Sequence, residues 1–358
     1  MRVVHVIEAL GGGVYTYFKD LSFFFGENGP ADDLETYIIY SGNRKEIDPS
    51  KITEDFSKNV KLIEVPMVRE FSIFKDLKSI LKLRKVLKEI NPDAIHLHSS
   101  KAGVLGRAAH FLLFDKKKLF YTPHGYSFLR VDISPLHKKI YQAIEKYSQW
   151  IFGGTTIACG DTEYEIAKQL GKSVLVRNGI SINELQHFYN PVLNPVLRIG
   201  IVGRITAQKD PELFNRIATL FPQFQFVWIG DGDLRSLLTA KNIIVTGWFL
   251  NQNDIMKELN TLDIYLQTSL WEGLPIAVLE GMALRKPVVA TNVIGNKDIV
   301  IPNETGFLFD SPAELENYFE QLKELQKRIL LGNNGFRRCQ QVFDKDKNFR
   351  KLVSIYKH

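Results

Sequence analysis

The stretch from Trp271 to Gly281 contains residue types that could bind an anion at the start of a helix. An apolar run before it, Leu262 to Gln267, predicts a short buried strand. Pro275 suits the first position of the following helix, because its missing N–H would be unpaired there. Gly273 and Leu274 would then precede the helix, where free amides and the positive end of the dipole attract a phosphate.

Two carboxylates flank these amides. Glu272 lies before the predicted helix and Glu280 lies one to two turns inside it. Amides between two carboxylates suit a ligand that carries both phosphate and hydroxyl groups. The alternative interpretation is a capped helix with two solvated glutamates.

A second candidate follows the strand predicted at 197–202. Gly203 and Arg204 end that strand, and Lys209 follows five residues later. Arginine offers a planar fork to phosphate and lysine a mobile point charge, so the pair could clamp a diphosphate. The alternative is the solvated start of a helix.

Three further loops carry polar or flexible residues. The run Gly11–Gly13 follows the first strand and could feed amides to a ligand, or be a flexible turn. His124 ends another strand, where an imidazole can donate to a ligand hydroxyl, although such a histidine is more often structural. We expect His96 to pack or to hydrogen-bond, and we keep His98 as a possible cleft residue, since no further metal ligands stand at a suitable spacing.

The segment Asp231-Gly232-Asp233 has the form of the Asp-x-Asp metal motif of another class of sugar transferases. It follows a predicted strand, where a turn and a helix cap explain it. We therefore predict no metal site there.

The elements that position these loops alternate between strands and helices in two successive halves. Such alternation predicts parallel sheets, and hence two Rossmann-like α/β domains around a cleft, with ligands at the carboxyl ends of strands. We expect domains at 1–185 and 195–342, joined by a linker of fading periodicity, with a last helix at about 343–358 that packs back on the first domain. Strands are predicted at 3–7, 36–40, 60–65, 93–97, 119–122, 155–159, 174–176, 197–202, 224–229, 243–245, 264–266 and 288–290.

Helices are predicted between these strands. One at 71–90 is expected to bury Phe74, Leu77, Leu81 and the later Leu and Val positions. Another is expected to be capped by Asp161. The remaining helices are predicted at 101–113, 136–152, 161–170, near 211–220, ending near 240, at 255–259, and through most of 315–358.

Composition sets the broad class. Hydrophobic and charged residues make up 45% and 24% of the 358-residue chain, as in ordinary globular proteins. Two cysteines without ligand spacing, no leader pattern and no long apolar run predict a cytoplasmic protein without a spanning helix. The net charge is +6, and eleven Lys/Arg face four Asp/Glu between 71 and 118. This excess favours an anionic membrane or a phosphate-bearing substrate over nucleic acid, and solvated helix faces are the plainer explanation.

Taken together, these segments resemble glycosyltransferase family 4, retaining enzymes of the GT-B fold. The most specific element is Glu272 to Glu280, which matches the family's E-x7-E signature in the context E-G-x-P-x-x-x-x-E. The stretch 98–107 and the later His-Gly are similar to members that build bacterial capsule or O-antigen polysaccharides. Further matching segments are Gly11–Gly13, Pro123-His124-Gly125, Arg177-Asn178-Gly179, Val202-Gly203-Arg204 with Lys209, Gly230-Asp231-Gly232 and Gly247-Trp248.

The resemblance implies roles for these residues. Arg204 and Lys209 would neutralise the diphosphate leaving group of a nucleotide sugar, without a metal or other cofactor. Glu280 would bind the ribose hydroxyls, Glu272 the donor sugar, and His124 would face that sugar near the bond that breaks. The diphosphate oxygens would be bound by the amides around Gly203, Gly273, Leu274 and Pro275 and by Gly12 and Gly13, and the base would lie near Gly247, Trp248 and Phe249.

The implied reaction transfers a hexose or N-acetylhexosamine from a UDP-sugar to a saccharide on a polyprenyl diphosphate. It would take place at the inner face of the cytoplasmic membrane. Two positions depart from the family: Tyr15 stands where many members have glutamate, and Ser181 where they have aspartate. The first departure puts the acceptor contact in doubt. The rival interpretations are a UDP-sugar epimerase of the same fold and a non-catalytic subunit that binds nucleotide sugars.

Overall fold

The structure is a computed structural model that describes residues 1–8, 10–27, 33–42, 49–68, 72–111, 113, 118–249 and 251–358. Contacts divide the chain into two compact units, 1–177 with 346–358 and 178–345. The division falls earlier than the predicted linker, since 178–195 belongs to unit 2. Each unit is an α/β structure with one parallel sheet, so the predicted fold class is confirmed.

Unit 1 contains a seven-stranded parallel sheet in the order β3-β2-β1-β4-β5-β6-β7. Every residue of β1 after Arg2 is buried, as expected for a strand covered by helices on both faces. The strands are β1 (Arg2–Ile7), β2 (Glu35–Tyr40), β3 (Lys61–Glu64), β4 (Ala94–His98), β5 (Lys118–Thr122), β6 (Thr155–Ala158) and β7 (Ser173–Leu175). The helices are α1 (Gly13–Glu27), α2 (Pro49–Asp55), α3 (Ile73–Ile90), α4 (Ser100–Phe111), α5 (Pro135–Phe152) and α6 (Asp161–Leu170).

Unit 2 contains a six-stranded parallel sheet in the order β10-β9-β8-β11-β12-β13. Its core joins Trp228 and other side chains of the sheet to the apolar faces of α8 and α12. The strands are β8 (Arg198–Val202), β9 (Gln225–Ile229), β10 (Ile243–Val245), β11 (Ile264–Gln267), β12 (Val288–Thr291) and β13 (Gly306–Phe309). The helices are α7 (Ile182–Gln186), α8 (Pro211–Leu220), α9 (Gln252–Asn260), α10 (Ile276–Ala283), α11 (Asn296–Ile299), α12 (Leu315–Lys323) and α13 (Leu325–Val342).

The last helix, α14 (Lys345–Lys357), returns to unit 1. Phe349, Leu352, Val353 and Tyr356 are buried in the core that α1 and α2 form on one face of the sheet. Helices α3 and α4 cover the opposite face. No helix in the described ranges has both the length and the apolar composition needed to cross a bilayer.

The predicted apolar face of α3 is wrong in its first part, whereas the later positions Leu83 and Leu87 are buried as predicted. Phe74 is 87% exposed, and Leu77 and Leu81 are also exposed. The buried side of this part of the helix is polar: Asp76 accepts a hydrogen bond from Lys101 Nζ at 2.7 Å, and Ser79 donates to the carbonyl of Pro66 at 2.8 Å. Polar side chains therefore face inward where periodicity predicted apolar ones. Of the basic 71–118 region, residues 71, 112 and 114–117 lie outside the described residues.

Two smaller expectations also fail. The helix predicted to end near residue 240 is only a single 3₁₀ turn, Arg235–Leu237, because Asn215 Oδ1 accepts from the amides of Thr239 and Ala240 at 2.7 and 2.8 Å and holds them out of a helix. Asp161 does not cap α6, since the cap is Gly160 and the Asp161 carboxylate pairs with Arg177 instead. The predictions also missed β13, α2, α7 and α11.

Candidate active site

The candidate site of unit 2 lies in the loops that follow β8 and β11. These strands are neighbours where the strand order reverses, the position at which open α/β sheets bind ligands. The amide of Leu270 donates to the carbonyl of Gln208 at 2.9 Å, and Thr268 Oγ1 donates to that of Lys209 at 2.6 Å. Gln208 Nε2 donates to the carbonyl of Trp271 at 3.0 Å. The two loops are therefore fixed to each other.

The carboxylate of Glu272 is the centre of this arrangement. Its Oε1 accepts from Lys209 Nζ at 2.7 Å, from Ser269 Oγ at 2.7 Å and from Gln267 Nε2 at 2.9 Å. Its Oε2 accepts from Gln208 Nε2 at 3.2 Å. Glu272 is only 8% exposed, and these four donors fix the position of its carboxylate.

Lys209 is held at the same time. Its ammonium has three N–H donors, and the described residues provide one acceptor for them, Glu272. The remaining donors can therefore serve an anion without breaking the ion pair. Arg204, on the same loop, has an exposed side chain. The two predicted cations therefore lie on one loop, with Lys209 mostly buried and Arg204 at the surface.

Loops after β8 and β9 support each other behind these cations. The carbonyl of Gly203 accepts from Trp228 Nε1 at 2.8 Å. A Cβ at Gly230 would lie 2.4 Å from that carbonyl oxygen, and Gly230 has φ +135°, so only glycine fits. Asp231 lies in a turn, as predicted: its carboxylate accepts from the Gly232 amide at 2.8 Å and from Arg235 Nη1 at 2.9 Å. The predicted helix cap is wrong, since the N-cap of the 3₁₀ turn Arg235–Leu237 is Leu234.

The start of α10 differs by one residue from the prediction, since Pro275 is the N-cap and Ile276 the first helical residue. Its ψ of 110° keeps Pro275 out of the helix. In the described part of the chain, the amides of Gly273 and Leu274 have no hydrogen-bond acceptor. The loop thus presents two donors ahead of a helix, beside the Lys209–Glu272 pair.

Glu280 is buried in α10, and its Oε1 accepts from Gln252 Nε2 at 3.4 Å. Burial, together with the nearby Glu280 and Glu272 carboxylates, raises the pKa of Tyr265. The two glutamates of the E-x7-E pattern therefore lie near the same tyrosine.

The segment Gly247–Phe249 follows β10, the outermost strand on this side of the sheet. Thr246 Oγ1 accepts from the amide of Gly230 at 3.1 Å, which ties this segment to the loop after β9. Trp248 is 64% exposed, while Phe249 is partly buried. An exposed indole beside the loop edge offers a surface on which a planar base could stack.

In unit 1 the structure places a row of histidines that sequence analysis recognised only in part. His5 Nδ1 lies 3.0 Å from His98 Nε2, and His98 Nδ1 lies 3.0 Å from His124 Nε2. His98 is fully buried, so it supports His124 and is not a cleft residue. His96 hydrogen-bonds Tyr356 and Thr122, as expected for a packed histidine. His5 was missed because a lone histidine inside an apolar strand carries no signal.

Burial lowers the pKa of His5 to about 3 and that of His124 to about 4. The pKa values of His96 and His98 are well below the ordinary value for the same reason. The row is therefore uncharged at neutral pH. Nitrogens of His5, His96 and His98 lie within 4.8 Å of one another, but both ring nitrogens of His96 and His98 already have hydrogen-bond partners.

The glycine run leads into α1, as predicted. Gly13 is its first residue, and the carbonyl of Gly12 accepts from the amide of Tyr15 at 3.0 Å. Tyr15 Oη donates to Asp55 Oδ2 at 2.8 Å. The tyrosine that replaces the family's glutamate therefore contacts a carboxylate supplied by α2.

The stretch 98–107 serves packing. A Cβ at Gly103 would lie 2.5 Å from the Tyr121 ring, and one at Gly106 would lie 2.3 Å from Leu97. Arg107 is fully buried, 4.2 Å from the centre of the Tyr121 ring and 3.9 Å from Glu145 Oε2. The small residues thus let α4 lie close to the sheet.

Comparison with known proteins agrees with this geometry. The family model for Glycosyltransferase Family 4 matches residues 11–184, and that for glycosyl transferases group 1 matches residues 190–337. The chain belongs to glycosyltransferase family 4. It is therefore a glycosyltransferase, and the resemblance inferred from its sequence is confirmed.

Several proteins similar to this chain are named for capsular polysaccharide or O-antigen biosynthesis. It is 29% identical over 337 residues to the UDP-Gal:alpha-D-GlcNAc-diphosphoundecaprenol alpha-1,3-galactosyltransferase of Escherichia coli, covering 82% of this chain and 85% of that one. It is 26% identical to the capsular polysaccharide biosynthesis glycosyltransferase CapM of Staphylococcus aureus, covering 82% and 83%. Its fold is similar to that of Anabaena Alr3699/HepE, crystallised with UDP and glucose, with a TM-score of 0.77, 18% identity and 99% of both chains covered.

Proposed function

We propose that this glycosyltransferase moves a hexose or N-acetylhexosamine from a UDP-sugar to a lipid-linked saccharide in bacterial surface-polysaccharide synthesis, with retention of anomeric configuration. The observation that carries the proposal is the Lys209–Glu272 pair beside the open amides of Gly273 and Leu274. One relative named for UDP-galactose and a diphosphoundecaprenol acceptor supports the choice of substrates. We place the reaction at the inner face of the cytoplasmic membrane.

The chemistry follows from the charges of the site. Breaking the donor bond leaves an oxocarbenium-like sugar and a diphosphate that gains negative charge. Lys209, Arg204 and the two amides would stabilise this leaving group, and each well-placed donor contributes roughly 3 kcal/mol to the transition state. These cations supply positive charge without a metal ion, so we propose metal-independent transfer.

Glu272 orients the donor sugar in this proposal. Because Lys209, Ser269 and Gln267 all donate to its Oε1, that oxygen is poorly available as a nucleophile. The leaving diphosphate then accepts the acceptor's proton on the face from which it departs, which retains configuration. We assign the ribose to Glu280, the base to the Trp248 segment and a hydrogen bond with the donor sugar to His124.

A panel of nucleotide sugars, each incubated with and without a polyprenyl-diphosphate saccharide, tests the proposal. We expect a glycosylated acceptor of retained configuration from a UDP-sugar, formed equally well in EDTA. Conversion of the sugar without acceptor would identify an epimerase instead. UDP binding without turnover across the panel would identify a non-catalytic subunit.

A further inference from the structure

On helix α5 the buried side chains are polar, whereas the large apolar side chains face solvent. Its buried residues are Glu145, Ser148 and Gln149. Glu145 Oε1 accepts from Ser100 Oγ and from Tyr121 Oη, both at 2.8 Å. Gln149 Oε1 accepts from Thr156 Oγ1 at 3.0 Å. Hydrogen bonds of polar side chains thus attach α5 to unit 1, while its large apolar side chains remain exposed to solvent.

Those apolar residues form a row on the solvent side, which we call the α5 stripe. A spacing of three, four or seven residues keeps side chains on one side of a helix. At 1.5 Å per residue the helix is about 27 Å long, and the stripe runs along nearly all of it. Contiguous apolar surface of this kind marks an interaction site, whereas single exposed leucines do not. The stripe consists of Leu136, Ile140, Ile144, Tyr147, Trp150 and Ile151, each at least 40% exposed.

The charges beside the stripe are positive. Lys139 and Lys146 are exposed on one flank, and the single acidic residue of the helix, Glu145, is buried on the opposite side. An isologous dimer through the stripe would bring the lysines of both copies together without acidic partners on the helix. An anionic bilayer would match them, and tryptophan and tyrosine are the side chains that favour the headgroup region.

The exposed part of α3 extends this pattern. Helix α4 packs between α3 and α5 in one layer of unit 1. The outer side of α3 carries exposed Ile73, Phe74 and Leu77 in its first turns and exposed lysines among and after them. Two helices of one layer therefore share the same combination of apolar and basic residues. This is the composition of helices that lie in a membrane interface.

We propose that the α5 stripe, with the start of α3, is the surface by which unit 1 binds an anionic lipid bilayer. Trp150 and Tyr147 enter the headgroup region, and Lys139 and Lys146 contact lipid phosphates. This inference rests on the proposed function in one respect: membrane binding would bring the enzyme to an acceptor that lies in the membrane.

Co-sedimentation with vesicles tests the surface without donor or acceptor. Vesicles of phosphatidylcholine alone are compared with vesicles that also contain phosphatidylglycerol. One variant removes the aromatic groups of the stripe (Tyr147→Ser with Trp150→Ser). A second variant reverses the charge of the lysine flank (Lys139→Glu with Lys146→Glu). The control, Leu193→Ser with Leu330→Ser, changes two similarly exposed leucines of unit 2.

We expect the wild-type protein and the control to bind the anionic vesicles, and each α5 variant to bind them at least roughly tenfold more weakly. All four proteins should bind UDP with the same affinity. A loss of vesicle binding would then not be caused by a damaged nucleotide site. Absence of wild-type binding, or binding unaffected by the α5 changes, would overturn the proposal. A wild-type dimer by light scattering that the aromatic variant converts to monomer, without vesicle binding, would show that a second copy covers the stripe.

Discussion

Lys209 Nζ lies 2.7 Å from Glu272 Oε1, so the residue assigned to the leaving diphosphate and the residue assigned to the donor sugar are positioned by one contact. Three uncharged donors hold the carboxylate in addition. Lys209 and Glu272 are 63 residues apart in the sequence, and they meet because β8 and β11 are neighbours in the sheet. A change at either residue should therefore affect both functions.

Replacing Lys209 by alanine should lower kcat by about 100-fold, because the leaving group loses a preorganised cation. Stability should fall by only about 1–2 kcal/mol, since Ser269, Gln267 and Gln208 still donate to Glu272. Steady-state kinetics and urea unfolding measure the two effects. The control is Lys241→Ala, an exposed lysine of the same unit. An unchanged kcat would remove Lys209 from the reaction.

Glu280→Gln should weaken UDP binding by about tenfold, because a carboxylate accepts stronger hydrogen bonds from ribose hydroxyls than an amide does. The wild-type protein should also prefer UDP to 2′-deoxy-UDP, and the variant should lose most of that preference. Calorimetric titration of both nucleotides gives the four affinities. A preference that survives in Glu280→Gln would place the ribose elsewhere.

Arg107→Met should destabilise unit 1 by about 3 kcal/mol, because it leaves Glu145 buried without its cationic neighbour. Burial already raises the pKa of Glu145, which indicates how poorly the site tolerates its charge. Adding Glu145→Gln should recover part of the loss, since no buried charge then remains. Urea denaturation compares the variants, and a double variant less stable than Arg107→Met would contradict this explanation.

The histidine row should make the protein sensitive to acid. Folded His5 and His124 have pKa values lowered to about 3 and about 4, whereas unfolded histidines titrate near 6.5. The unfolded state thus binds more protons as the pH falls below about 6.5, and stability falls with it. As the pH falls, each such histidine lowers the free energy of unfolding by about 1.4 kcal/mol per pH unit until its folded pKa is reached.

Urea unfolding from pH 7 to pH 4 measures this dependence. His5→Phe should flatten the curve over that range, whereas the exposed His358→Gln should not. The comparison concerns slopes, so it holds even if His5→Phe lowers stability at pH 7. Equal slopes for wild type and His5→Phe would contradict the assignment.

Local patterns predicted most of the elements and the loops of the site, because parallel strands buried on both faces give long apolar runs. They failed where polar side chains are buried. Periodicity placed Phe74 and Leu81 in the core, but the side chains that face inward in this part of α3 are Asp76 and Ser79. The same inversion in α5 hid its apolar surface from sequence analysis. Partners distant in sequence, such as His5 and His98, could not be predicted because only the sheet brings them together.

In the proposed function, the loops after β8 and β11 bind the diphosphate of a UDP-sugar. Calorimetric titration of UDP into the wild-type protein, Lys209→Ala and Lys241→Ala tests it most directly. We expect the wild type to bind UDP, Lys241→Ala to bind it with equal affinity, and Lys209→Ala to bind it at least roughly tenfold more weakly. No UDP binding by the wild type, or equal binding by all three proteins, would contradict it.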